Sequence, residues 1–176
     1  MDDVLQDMTI RPMQEKDLPV LARWLQQPEV FRYYGGEPAA REEVDSKYLP
    51  RIRGEEEIPV YIIDFRSSPV GFMQVYTASS DVYNAGGYPP DTILFGMDLL
   101  IGASRMNQGL GTAAVSLMSD HLLASGADAV VLDPETDNSR ARRSYEKAGF
   151  RLVGRMDAGR LLLMAKSTPS SAQDER

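Results

Sequence analysis

The sequence predicts a single α/β domain, a mixed central β-sheet of about seven strands covered by about four helices. Three observations lead there. The 176 residues are 43% apolar, enough for one full core and too few for a second domain. Short apolar runs alternate with stretches in which apolar residues recur at helical spacing. Glycines and prolines fall between them, where helices end and strands turn. The expected division is a short extension over 1–8, the domain over 9–166, and a flexible tail over 167–176, which is small and polar.

Residues 9–13 read as a first strand whose Pro12 suits a sheet edge. Leu18, Leu21, Ala22 and Leu25 then recur at helical spacing, with Asp17 as the cap and Pro19 in the first turn. Pro28 ends that helix, residues 31–36 form an aromatic loop, and residues 41–52 form a strongly charged helix. Residues 60–65 and 70–76 make a hairpin across 66–69, and the stretch 79–90, rich in Gly and Pro, reads as a loop. Residues 93–101 are apolar almost throughout and therefore a central strand, carrying one carboxylate, Asp98. A helix over 109–125, a buried strand over 129–133 and a helix over 138–148 follow, the last closed by Gly149 as a left-handed cap. Strands at 151–156 and 161–164 finish the chain around a turn at 157–159.

Composition removes several classes of function. Lys and Arg number 19 against 26 Asp and Glu, a net charge of -7, which argues against a general nucleic-acid binder. The same acidity suits either a cationic substrate or plain solubility. With no Cys there is no disulfide, thiolate metal site or cysteine nucleophile, and no metal is expected. The only His, His121, lies in a helical stretch with no nucleophile elbow near it, so a Ser-His-Asp triad is not expected. No apolar run is long enough to span a membrane, and the start, Met1-Asp2-Asp3-Val4, lacks the regions of a signal peptide. The expectation is a cytoplasmic protein without membrane or nucleic-acid partners, as a monomer or homodimer.

The chemistry concentrates in two stretches. Residues 101–112, Ile-Gly-Ala-Ser-Arg-Met-Asn-Gln-Gly-Leu-Gly-Thr, join the buried fourth strand to a helix start. Gly109 and Gly111 let the backbone turn tightly and expose N–H groups at a helix N-terminus, a fit for phosphate or pyrophosphate, with Arg105 able to add charge. A GxG junction of this kind is otherwise a simple tight turn, and neither a P-loop nor a three-glycine dinucleotide fingerprint is present. One helix and one strand later comes the stretch 137–150, with Asn138, Ala141, Tyr145, Lys147, Gly149 and Phe150. Arg140, Arg142, Arg143 and Lys147 give this segment a positive surplus within an acidic protein.

Together the two stretches resemble the cofactor motifs of the GNAT (Gcn5-related N-acetyltransferase) superfamily, Q/R-x-x-G-x-G/A and N-x-x-A-x-x-x-Y-x-K-x-G-F. The second match is nearly complete; the first departs at its opening position, where Met106 stands and Arg105 precedes it. A closer resemblance, to the aminoglycoside 6'-N-acetyltransferase branch, is carried by Arg11-Pro12-Met13, Trp24-Leu25, Tyr33-Tyr34-Gly35-Gly36-Glu37, Tyr48-Leu49-Pro50, Gly96-Met97-Asp98 and Asp133-Pro134. In that branch a tryptophan pair precedes the Gly-Gly-Glu, where this chain has two tyrosines. The loop before the fourth strand is rich in Trp and Glu there and carries tyrosines and few acids here.

The resemblance implies a GNAT fold with a splayed strand pair, and acetyl-CoA as cosubstrate. It implies that Leu99, Leu100 and Ile101 offer backbone to the pantetheine arm. The pyrophosphate loop would comprise Arg105, Met106, Asn107, Gln108, Gly109, Leu110, Gly111 and Thr112. Asn138, Arg142, Tyr145 and Lys147 would add cofactor contacts from the later helix. The acceptor, a cationic small-molecule amine, would meet Tyr33, Tyr34, Tyr48, Tyr76, Asp98 and Asp133. Asp98 is then the catalytic carboxylate, and Tyr145 donates to the departing sulfur. Without Cys or an activated Ser, transfer is expected to be direct rather than through an acyl-enzyme. The implied activity is acetylation of an aminoglycoside 6'-amino group. A siderophore-type acyltransferase acting on N-hydroxylysine, a GNAT acting on another small amine, and a CoA-binding sensor are the alternatives.

Overall fold

The computed structural model describes residues 2–168; the expected tail beyond 168 lies outside them. Strands β1 (Met8–Pro12), β2 (Val60–Phe65), β3 (Ser68–Thr77), β4 (Leu94–Ile101), β5 (Ala129–Leu132), β6 (Arg151–Met156) and β7 (Leu161–Ser167) form one sheet. Its spatial order is β1-β2-β3-β4-β5-β7-β6. Every neighbouring pair is antiparallel except β4 and β5, which run parallel. Ser167, expected in the tail, pairs with Ala129 and belongs to the sheet.

The four expected helices are present as α2 (Leu18–Trp24), α4 (Arg41–Ile52), α6 (Leu110–Ala124) and α7 (Ser139–Lys147). Three short ones join them: α1 (Asp2–Gln6), α3 (Pro28–Phe31) and α5 (Ser80–Gly86). Each corrects a reading from sequence. In α1, Val4 and Leu5 pack on the core, which anchors a segment too short for periodicity to reveal. Pro28 opens α3, a first helical position where its missing N–H costs nothing, and α2 has already ended at Trp24. The stretch 79–90 folds as α5 because Val82, with Tyr83 and Ala85, buries against the sheet, while Gly87 leaves at φ 67°. Asp17 stands at the N-cap of α2 as expected, but its side chain caps no helix N–H: the carboxylate accepts from Arg11 at 2.8 and 2.9 Å and from the Gln14 N–H at 2.9 Å.

The period of two along the central strands sorts side chains onto two faces. Met73, Val75 and Met97 lie under α6, whose Ala113 and Ala114 permit close approach. Ile62, Phe72 and Leu100 lie under α2 and α4. There Tyr48 of α4 meets Phe72 edge-on with ring centroids 5.1 Å apart, a contact worth about 0.5–1.5 kcal/mol beyond its buried area. Asp98 shares parity with Leu100 on β4 and so belongs to the α2–α4 face.

The parallel pair sets the site. Pairing between β4 and β5 runs through Leu94–Ala129, Phe95–Val130 and Gly96–Val131 and stops, while β4 continues to Ile101. Past Gly96 the β5-facing backbone edge of β4 has no ladder partner, and the strands part. Two registers beyond the last pair, Asp98 and Asp133 stand across the opening from each other.

Candidate active site

A cavity of about 820 Å³ fills this opening, within the range usual for small-molecule sites. One wall is the start of α6 with the loop before it. Asn107 and Gly109 have φ of 61° and 77°, and Gly109 enters the helix without a side-chain cap. The first helical bond runs from the Ala113 N–H to the Gly109 carbonyl, so the N–H groups of Leu110, Gly111 and Thr112 are left for an outside acceptor. No acidic residue occupies that first turn. The Thr112 and Ser144 hydroxyls lie 2.8 Å apart, tying α6 to α7 behind the opening. These unpaired donors at the start of a fifteen-residue helix suit a pyrophosphate.

Helix α7 turns one face to the cavity. Asn138, Ala141, Ser144 and Tyr145 line it, as do Arg140, Arg143 and Lys147. Ser139, Arg142 and Glu146 do not line it: at 100° per residue they fall together on one stripe of the helix, away from Arg140 and Arg143. Asn138 lines the cavity but spends its oxygen on the cap, accepting from the Ala141 N–H at 3.1 Å. Gln108 does not line it; its amide donates to the Ser104 carbonyl at 3.3 Å. Arg105 and Met106 do line it, and the Arg105 guanidinium stacks on Phe65, 5.4 Å from its centroid.

The other wall belongs to β3, β4 and the loop after α3. Asp98 receives one neutral donor on each oxygen: Gln74 Nε2 at 2.6 Å on Oδ2, and the Tyr76 hydroxyl at 3.0 Å on Oδ1. Gln74 is its direct cross-strand neighbour. Tyr76 reaches it because Gly96 is bare: a Cβ there would meet the Tyr76 ring at 2.2 Å. Asp98 is in none of the ion pairs among the described residues, and Arg105 does not reach it. A carboxylate held by two neutral donors, with an opening in front, is an arrangement for receiving a cation.

Asp133 lines the same opening. Burial first, and the charge of Asp98 second, push it up to about 6. Burial, reinforced by both carboxylates, also raises Tyr145, which keeps its proton through neutral pH. Its hydroxyl makes no hydrogen bond among the described residues. Tyr33 and Tyr34 line the cavity with Gly35 and Gly36, while Tyr48 and Tyr76 do not. Tyr48 is 1% exposed and belongs to the core, and Tyr76 serves Asp98 rather than the opening. Nothing from 77–93 lines the cavity, since α5 packs on β6 and β7 instead. Sequence reasoning missed Gln74, although a lone amide within the apolar run of β3, in phase with Tyr76, was a signal. It also missed Ser144, which carries no pattern of its own.

Among the described residues no group of His, Asp or Glu is placed to hold a metal ion, and no helix is long and apolar enough to cross a membrane. The family model described as "Acetyltransferase (GNAT) domain" matches residues 13–158. An aminoglycoside N(6')-acetyltransferase type 1 of Klebsiella pneumoniae is 34% identical over 151 residues, 84% of this chain and 75% of that protein. The enzyme of the same name from Serratia marcescens matches equally. Among solved structures, AAC(6')-Ib in complex with paromomycin and acetyl-CoA superposes with a TM-score of 0.76 at 29% identity, covering 94% of this chain and 99% of that one. A spermidine N-acetyltransferase from Vibrio cholerae, with CoA and spermine, gives 0.72 at 14% identity over 92% and 96% of the two chains, a likeness of fold.

Proposed function

The chain belongs to the acetyltransferase (GNAT) family, and from that premise we propose that it moves the acetyl group of acetyl-CoA directly to a primary amine of a polycationic small molecule, the 6'-amino group of an aminoglycoside. The observation that carries this reading is one cavity in which an uncapped helix N-terminus faces a carboxylate pair across parted strands.

Acetyl-CoA supplies the thioester carbonyl that the amine attacks and a thiolate that leaves. The N–H groups of Leu110, Gly111 and Thr112 hold its pyrophosphate, with Arg140, Arg143 and Lys147 beside them in the cavity. The free backbone of Leu99, Leu100 and Ile101 takes the pantetheine arm as a strand would. The amine arrives protonated. Asp98 attracts it and accepts its proton, directly or through water, while Gln74 and Tyr76 keep the carboxylate aimed. Asp133 anchors a second amino group. Tyr145, protonated at working pH, donates its hydroxyl proton or a hydrogen bond to the departing sulfur. The chain has no Cys to carry an acyl-enzyme, in keeping with one direct transfer.

The test is free CoA released from acetyl-CoA by the purified protein over aminoglycosides bearing or lacking a 6'-amino group, with spermidine and N-hydroxylysine alongside. Release with the 6'-amino compounds alone is expected. Release only with N-hydroxylysine, or none with any amine, overturns the proposal.

A further inference from the structure

The proposed chemistry needs the Asp98 carboxylate aimed into the cavity, and what fixes that aim lies behind it. Gln74, 7% exposed, uses both ends of its amide: Nε2 donates to Asp98, and Oε1 accepts from Arg51 Nη1 at 2.7 Å. The two ends of an amide have nearly the same shape and opposite polarity, so half a turn costs little sterically. A turned Gln74 would face its oxygen to the carboxylate and leave Asp98 one donor short. A guanidinium has donors only, so Arg51 accepts one of the two orientations and refuses the other.

Arg51 is itself tethered. Its Nε donates to Glu56 at 2.9 Å, its guanidinium lies over the Tyr48 ring at 5.5 Å, and its side chain is 13% exposed. Tyr48 is wedged edge-on against Phe72 of β3. The last turn of α4 therefore delivers a fixed cation to the underside of the sheet. Arg51 does not line the cavity.

We infer that Arg51 is a positioning residue for the transfer: it locks the Gln74 amide in the orientation that donates to Asp98. The inference rests on the acceptor role proposed for Asp98, but the lock is measurable without catalysis. Arg51→Met keeps an apolar stem over Tyr48 and removes the donors; Arg51→Lys restores one donor. The side-chain NH2 signals of Gln74, assigned by their loss in Gln74→Met, are expected as two well-separated resonances in the unliganded wild type. They should collapse toward those of a free glutamine in Arg51→Met and recover in part in Arg51→Lys. Turnover of the amine should fall about tenfold in Arg51→Met, the scale of one charge-assisted hydrogen bond, with the KM for acetyl-CoA unchanged. In a Gln74→Met background the same substitution should cost nothing further, whereas a residue that merely packs α4 would cost the same in both. If Arg51→Met does not fold, Arg51→Gln serves, since its amide can show either end to Gln74 and also releases the lock. Gln74 signals unmoved by these substitutions, or equal losses in both backgrounds, overturn the inference. A wild type that acetylates no amine overturns the proposed function instead, and the spectrum still judges the lock.

Discussion

On the α6 side of the cavity the anion-facing groups are backbone N–H groups of Leu110, Gly111 and Thr112, aimed by a helix and one left-handed glycine. On the β3–β4 side the cation-facing group is a side chain, Asp98, aimed by Gln74 and Tyr76 through register and held from behind by α4. The difference decides what each half tolerates. A backbone site ignores most substitutions and fails where bulk intrudes on it. A side-chain site fails with the loss of one atom.

The largest effect expected from that contrast is at Gly111. Its φ is not left-handed, and a Cβ there meets only Ser144 Oγ at 3.6 Å and Ile101 Cγ1 at 3.7 Å, so the protein accommodates the change. Gly111→Val should fold with little loss of melting temperature and lose acetyl-CoA affinity in calorimetry. Gly109→Val should in addition lower the melting temperature, because φ 77° strains any L side chain. Undiminished cofactor affinity in a folded Gly111→Val protein would break the backbone half of the comparison.

Tyr145→Phe comes next. The ring keeps its place beside Phe150, 6.3 Å between centroids, while the hydroxyl is lost. Turnover should drop about a hundredfold, the lower end of a general acid's contribution, with acetyl-CoA affinity intact. A wild-type turnover under conditions where chemistry limits the rate would make Tyr145 a packing residue.

The smallest effect is expected at Asp133 and depends on pH. Its folded value of about 6 lies above that of an unfolded aspartate, so the folded protein binds the extra proton. The ionised form thus costs stability above about pH 6, and the cost fades as pH falls toward about 4, the ordinary aspartate value. Asp133→Asn should raise the melting temperature at alkaline pH, with the gain vanishing in acid. It should also raise the acceptor KM severalfold at alkaline pH, and the wild type's own acceptor KM should rise as pH drops through about 6. A melting difference that is flat with pH would remove the buried-carboxylate account.

The same contrast explains what could be read in advance. The α6 junction was legible because a backbone site needs glycine at fixed spacing, and α7 because cap, tyrosine and Gly149 are all local. Asp98 was legible as one carboxylate in an apolar strand. Arg51 was not, since its role depends on Tyr48 of α4, Glu56 of the loop after it and Gln74 of β3. Which arginines of α7 line the cavity was not legible, because a basic run does not announce which helix face is inward. Helix α5 was hidden because Gly and Pro suggested a loop, while Val82 finds its partners only in the folded sheet.

The most direct measurement pairs two numbers on Asp98→Asn: acetyl-CoA affinity by calorimetry, and the rate of acetyl transfer to the amine that the wild type accepts. Asp98→Asn should fold, bind acetyl-CoA as the wild type does and transfer essentially nothing. A folded Asp98→Asn protein that acetylates its amine at an undiminished rate would contradict this.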